Sequence, residues 1–186
     1  MSFVKDPEDW VTESSEYVLK EKWFSVRRDR VLLPSGHTID GYVVLESPPW
    51  VTIVAITQED ELVLIRQYRH GLGRVDLELP GGFVDDEDPV EAAQRELLEE
   101  TGYGEGEWRV LQTVAPNPAI MNNWNYWVLA EGVRPVSAPL PDEGEDLALD
   151  LRPSASIKEL LASSEIVHAL HVGALLRYLS ERTTGY

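Results

Sequence analysis

The sequence predicts an α/β sandwich built on a mixed sheet, preceded by a small N-terminal antiparallel β extension. Three observations carry that prediction. β-rich runs outnumber helical ones, helical spacing is confined to residues 89–101 and the tail, and strands do not alternate with helices as a doubly wound sheet requires. With 186 residues, 43% of them hydrophobic, the chain can bury one good core. That fits one main domain over residues 49–186 with an extension over 1–48 better than two full domains.

In chain order, residues 1–16 are polar and mixed and are expected to form a loosely ordered lead-in. Trp23 to Arg27 and Arg30 to Leu33 precede the turn signal Pro34-Ser35-Gly36 and a further apolar run from Ile39 to Leu45, which reads as an antiparallel hairpin or small meander. Pro48-Pro49 breaks it. Val51 to Ile56 and Glu61 to Ile65, around Gln58-Glu59-Asp60, form a central hairpin. The helix at 89–101 is bounded by local chemistry: Asp88 is an N-cap, Pro89 suits the first helical position, Glu91 completes a capping box, and Gly102 takes the left-handed residue that ends it. Trp108 to Val114 and Trp124 to Leu129 are further strands, and Pro135 to Asp150, rich in proline and acid, reads as a solvated surface loop. Ile157 to Leu161 and Ile166 to Leu179 are apolar at helical spacing, and no internal repeat is present.

Composition excludes several classes of function. With no cysteine and only four histidines, any metal is held by oxygen before imidazole. The 33 acidic against 16 basic side chains give a formal charge of −17, which opposes binding to a nucleic-acid backbone. No stretch approaches the roughly 18 apolar residues of a membrane span, and the N-terminus lacks the apolar core of a secretory signal, so a cytoplasmic protein is expected.

Within the helix, Val90, Ala93 and Leu97 form an apolar stripe, while Glu96, Glu99 and Glu100 crowd together at three- and four-residue spacing. Each like-charge pair costs only about 0.2–0.5 kcal/mol on an open helix, so simple exposure could tolerate the cluster. Alternatively Mg²⁺ or Mn²⁺ neutralises it, since hard divalent cations choose carboxylate oxygens and keep waters, one of which can serve as nucleophile.

The run from Gly81 through Glu87 to Arg95-Glu96-Leu97-Leu98-Glu99-Glu100-Thr101-Gly102-Tyr103 resembles the Nudix box, G-x5-E-x7-R-E-U-x-E-E-x-G-U with U apolar. The resemblance implies a Nudix-type α/β/α sandwich in which Glu96, Glu99 and Glu100 ligate the metal while Glu87 and Arg95 form the ion pair that braces loop against helix. For Arg95 the residues alone also allow an ordinary i,i+4 partnership with Glu99. One position departs from the pattern. Family members commonly count the five residues from the second of two glycines, whereas here five fit only from Gly81 and four separate Gly82 from Glu87. The backbone carbonyl implied as a metal ligand is therefore assigned to Gly81, with Gly82 left open.

Outside the box, Leu64-Ile-Arg-Gln-Tyr-Arg-His70 and Leu77-Glu-Leu-Pro-Gly81 resemble the ADP-ribose and nucleotide-sugar pyrophosphatases, and residues 23–45 resemble their dimer-forming extension. The resemblance implies a homodimer that splits the pyrophosphate of a small nucleotide such as ADP-ribose into two monophosphates. GDP-sugars, dinucleoside polyphosphates, nucleoside triphosphates and NADH are alternatives, as is a non-catalytic nucleotide-binding module, although no box carboxylate is lost. Arg69 is a candidate phosphate clamp, since guanidinium pairs bidentately with phosphate. Arg66 is a weaker candidate, because alternation turns it away from Gln67. Glu78 either recognises a ribose hydroxyl, supports the metal site or faces solvent. Trp23 and Trp50 offer base stacking in competition with core packing. The stretch Ala115 to Trp124, where relatives place a catalytic glutamate, holds Asn122 and Asn123 but no carboxylate. A general base must then come from Glu99 or Glu100, the favoured choice, or from the acidic loop with Asp142, Glu143, Glu145 and Asp146.

Overall fold

The computed structural model describes residues 6–140, 144 and 146–184. Asp142, Glu143 and Glu145 of the acidic loop lie outside the described residues. The chain forms two compact units, one of residues up to 48 together with 115–123, the other of 49–114 and 124 onward.

In the first unit, β1 (Val11–Lys20), β2 (Ser25–Leu32) and β3 (Thr38–Glu46) make an antiparallel sheet in that order. The β2–β3 turn falls at Pro34-Ser35-Gly36, where Gly36 takes φ +84° as a turn of this type favours. The expected loose lead-in is corrected: residues 11–16 belong to β1. That strand is exposed along its whole length and shows no apolar alternation, so burial left no trace in its sequence. Asp29 of β2 is buried and held on Arg27 at 2.9 Å; against burial, which favours the neutral form, hydrogen bonds from Arg27 and Ser15 lower its pKa. Residues 115–123 join this unit through Leu45 N–H to Ile120 O (2.7 Å) and Asn123 Nδ2 to Pro48 O (3.1 Å), an association that no local pattern marks.

The second unit is a mixed sheet between helices. β4 (Trp50–Thr57), β5 (Glu61–Arg69), β6 (Arg74–Glu78), β7 (Tyr103–Gly104), β8 (Glu107–Val114), β9 (Asn125–Pro135) and β10 (Leu147–Pro153) run in the order β10-β5-β4-β9-β7, with β6 on β5 and β8 on β9. Among the described strands of this unit only β4 and β9 pair in parallel. β4 is a continuous apolar run because both its faces are covered. Val51, Ile53 and Ala55 pack with Ala93 and Leu97 of α1 (Pro89–Thr101), while Val54 and Ile56 pack with Leu160 of α2 (Ile157–Ser163) and with Leu175 and Tyr178 of α3 (Ala169–Thr184). The predicted surface loop is corrected at its end, where residues 147–150 enter β10 and pair with β5. β6 is a strand beyond those expected, and α3 begins at Ala169 rather than Ile166, which is nonetheless buried. No helix among the described residues is long and apolar enough to cross a membrane.

Candidate active site

α1 begins and ends as its sequence dictates. The Asp88 carboxylate accepts the Val90 N–H at 2.8 Å, Glu91 reaches back to the Asp88 amide, and Gly102 adopts φ +75°. Ala92, Ala93 and Leu97, fully buried under the sheet, fix the rotation of the helix. Glu96 and Glu100 are thereby directed toward Gly82 and Gly81 of the Pro80-Gly81-Gly82 turn, and Glu99 toward Arg95.

Arg95 ties this region together. Its guanidinium donates to Glu87 from Nε (3.1 Å) and Nη2 (2.7 Å), to the Phe83 carbonyl (3.0 Å), and from Nη1 to Glu96 (2.8 Å) and Glu99 (3.1 Å). The Glu87 hydrogen bond, then Glu96, raise its already high pKa further. Glu100, only 6% exposed, accepts the Gly81 N–H at 2.9 Å. Both glycines are required, for different reasons. A Cβ at Gly81 would lie 2.2 Å from the Val51 carbonyl oxygen, whereas one at Gly82 would meet the Glu96 carboxylate at 2.2–2.4 Å. The Pro80 and Gly82 carbonyls accept N–H bonds from Ile53 and Val51 of β4, both at 2.9 Å. Strand alternation therefore turns Gly81 the other way, toward α1.

These donors suit a hard divalent cation, being carboxylate and carbonyl oxygens. Among the described residues no three acidic or imidazole side chains are already gathered as a cage. A hard divalent cation held by such oxygens would keep several of its waters.

On β5 and β6, Arg69 meets Glu78 fork to fork, Nε at 2.8 Å and Nη2 at 2.6 Å. Glu78 is 1% exposed, which corrects the solvent-facing reading and makes it the group that orients Arg69. Arg66 projects to the other face of β5 and pairs with Asp150 at 2.9 Å, whose carboxyl Arg152 and then Arg66 hold below its usual range. Trp23, in the first unit, is 50% exposed with the Lys22 ammonium 4.1 Å above its ring. Trp50 is half-buried at the start of β4, bridged to Phe83. Asp146 is exposed.

One residue escaped the sequence reading. His171 of α3 is buried and its Nδ1 accepts the Leu79 N–H at 3.2 Å, with His168 stacked on it at 4.1 Å between centroids. A histidine inside an apolar helical pattern carries no signal beyond its own presence.

Comparison with known proteins agrees with this geometry. The NUDIX domain profile matches residues 47–168, and the profile for the nucleoside diphosphate sugar hydrolase N-terminal domain matches residues 10–45. An ADP-ribose pyrophosphatase of Mycobacterium tuberculosis is 33% identical over 181 residues, covering 96% of this chain and 86% of that protein. An ADP-sugar pyrophosphatase of Mus musculus is 29% identical over 157 residues, 75% of this chain and 71% of the relative. A crystal structure of an ADP compounds hydrolase superposes with a TM-score of 0.84 at 28% identity, covering 98% of this chain and 99% of that one.

Proposed function

The chain belongs to the Nudix family and is a pyrophosphohydrolase, and from that premise we propose that it hydrolyses ADP-ribose or a closely related nucleotide sugar to two monophosphates with Mg²⁺, or Mn²⁺ in its place. The observation that carries the chemistry is the constellation of Glu96, Glu99 and Glu100 around Arg95 and Gly81, with Glu87 as brace. The relatives named for ADP-ribose and ADP-sugars support the substrate class.

A bound divalent ion would lower the pKa of its water and offset charge on the diphosphate. Glu96, Glu99 and Glu100 are the proposed side-chain ligands. Gly81 is the proposed backbone donor, because the Gly82 carbonyl already accepts the Val51 N–H. Arg95 keeps the carboxylates at fixed spacing through hydrogen bonds that a point charge could not make together. Glu99, its side chain 46% exposed, is better placed than Glu100 to take the proton of the attacking water, since Glu100 is buried on the Gly81 amide. The water oxygen bonds to one phosphorus, the bridging P–O bond breaks, and the departing phosphate leaves with its oxygen. Arg69, held by Glu78, contacts a non-bridging oxygen. Arg66 is assigned to the Asp150 ion pair instead. Residues 1–48 are proposed as a dimerisation extension to a catalytic domain at 49–186, in a cytoplasmic protein. A mass measurement at micromolar concentration returns a dimer if this holds.

The deciding experiment is a hydrolysis screen with Mg²⁺ over ADP-ribose, other nucleotide sugars, dinucleotides and triphosphates, with products identified. AMP and ribose 5-phosphate from ADP-ribose, at the highest kcat/KM of the set, is the expected result. A higher kcat/KM for triphosphates overturns the substrate choice.

A further inference from the structure

We propose that His171 is a positioning residue for the active site, holding the Leu79-Pro80-Gly81 turn so that Gly81 meets Glu100. The assignment rests on the pyrophosphohydrolase reading above. It starts from where the backbone hydrogen bonds of this turn go. β6 leaves β5 after Glu78, whose partner is Ile65, and the chain next joins β4 when the Pro80 carbonyl accepts the Ile53 N–H. Leu79 lies between two ladders and is 1% exposed, so its amide needs an acceptor that neither strand provides. His171 supplies it through Nδ1 at 3.2 Å. Pro80 has no amide to offer, and the next one, on Gly81, donates to Glu100 at 2.9 Å. The turn is thus clamped by one side chain from α3 and one from α1.

The clamp is stiff. His171 shares α3 with Ala174, Leu175 and Tyr178, all fixed in the core, and the His168 ring covers one of its faces at an interplanar angle of 21°. Accepting at Nδ1 requires the neutral ring with its proton on Nε2. Without that acceptor the Leu79 amide must turn toward water, carrying Gly81 and its carbonyl away from the α1 carboxylates. His171 touches neither substrate nor the proposed ligands, so its loss should act on metal affinity and kcat and leave KM largely unchanged.

The test compares His171→Leu, which keeps bulk but removes the acceptor, with His171→Asn, whose amide oxygen can take the place of Nδ1. Mn²⁺ binding to the nucleotide-free protein is measured by titration calorimetry, and kcat and KM for ADP-ribose at saturating Mg²⁺. In His171→Leu, Mn²⁺ binding should weaken several-fold and kcat fall by about 10-fold or more, with KM little changed, as expected of a small displacement at a reacting centre. His171→Asn should restore most of both. Wild-type values in His171→Leu, or equal impairment in the two variants, overturn the assignment. Should His171→Leu fail to fold, His171→Gln moves the acceptor by one methylene, and equal Mn²⁺ affinity in the Gln and Asn variants overturns it too. Rapid hydrogen exchange at the Leu79 amide of the wild-type protein does so without any variant. If the wild-type protein leaves ADP-ribose intact, the proposed function fails, while the Mn²⁺ and exchange measurements still decide the role of His171.

Discussion

The two glycines of the turn differ in what a side chain would meet, backbone at Gly81 and a mobile carboxylate at Gly82, and so in what each substitution costs the fold. In Gly81→Ala the new Cβ lies 2.2 Å from a backbone oxygen and 3.1 Å from the carbon that bears it. Ordinary carbon contacts need about 3.5 Å, so β4 and the turn must part by roughly 1 Å. The bonds from Val51 to Gly82 and from Ile53 to Pro80, each 2.9 Å, flank this point and would stretch out of range. Overpacking costs about 1–3 kcal/mol, and two weakened hydrogen bonds add about 0.5–1.5 kcal/mol each, for a total near 4 kcal/mol. At about 2–4 °C per kcal/mol for a chain of this length, Tm should fall by roughly 8–16 °C. In Gly82→Ala the obstacle is the Glu96 carboxylate, the mobile end of a side chain. That variant should lose about 1 kcal/mol at most, yet displacing a proposed ligand should lower kcat by about 10–100-fold. Thermal unfolding by circular dichroism and ADP-ribose hydrolysis across a Mg²⁺ titration read the two effects apart. Equal Tm losses in the two variants, or wild-type kcat in Gly82→Ala, would refute the reasoning.

Other expectations follow from the same geometry. Arg95→Lys replaces a five-bond fork by a point charge and should lower kcat by about 10–100-fold while the circular dichroism spectrum stays native. Glu99→Gln should cost kcat about 100-fold or more at saturating Mg²⁺, whereas Glu100→Gln should chiefly raise the Mg²⁺ needed; a large loss confined to Glu143→Gln or Glu145→Gln would move the base to the acidic loop. Burial first, then His168 and Arg69, hold the folded-state pKa of His171 well below 6.5. The unfolded chain therefore takes up a proton near pH 6.5 that the folded protein refuses, so this share of stability is complete above that pH and is lost as pH falls below it. Urea midpoints taken between about pH 7.5 and 5.5 should drop more for wild type than for His171→Asn, and parallel curves would count against it.

Sequence legibility tracked how local each feature is. α1 could be read to its caps because Asp88, Glu91 and Gly102 act on backbone groups a few residues away. β4 and β5 declared themselves by apolar content because helices cover both their faces. By contrast β1 buries nothing, and β6 carries Arg74, Asp76 and Glu78 in five residues, a composition that reads as polar surface until the sheet partners are known. β10 sits beside an acidic stretch and was absorbed into it. The box glutamates are contiguous on one helix and were legible together. The burial of Glu78 depends on Arg69 across a hairpin, and the role of His171 on a bond spanning 92 residues, which no periodicity encodes.

Charge decides how an acidic protein can hold an anionic substrate. Around the turn, Glu87, Glu96 and Glu99 pair with the Arg95 guanidinium and Glu100 with the Gly81 amide, so these five side chains carry a formal balance of −4 + 1 = −3. Elsewhere in this unit Arg66, Arg69, Arg74, Arg109, Arg134 and Arg152 are each bonded to a carboxylate, so these arginines offer little uncompensated charge. Attraction for a diphosphate must therefore come chiefly from bound cations. One divalent ion leaves the turn at −1, still repelling the substrate. A second brings it to +1 before the diphosphate arrives, and only then does the site attract an anion at close range. The crowding of carboxylates on α1, unfavourable for the helix alone, would be offset by divalent cations held there.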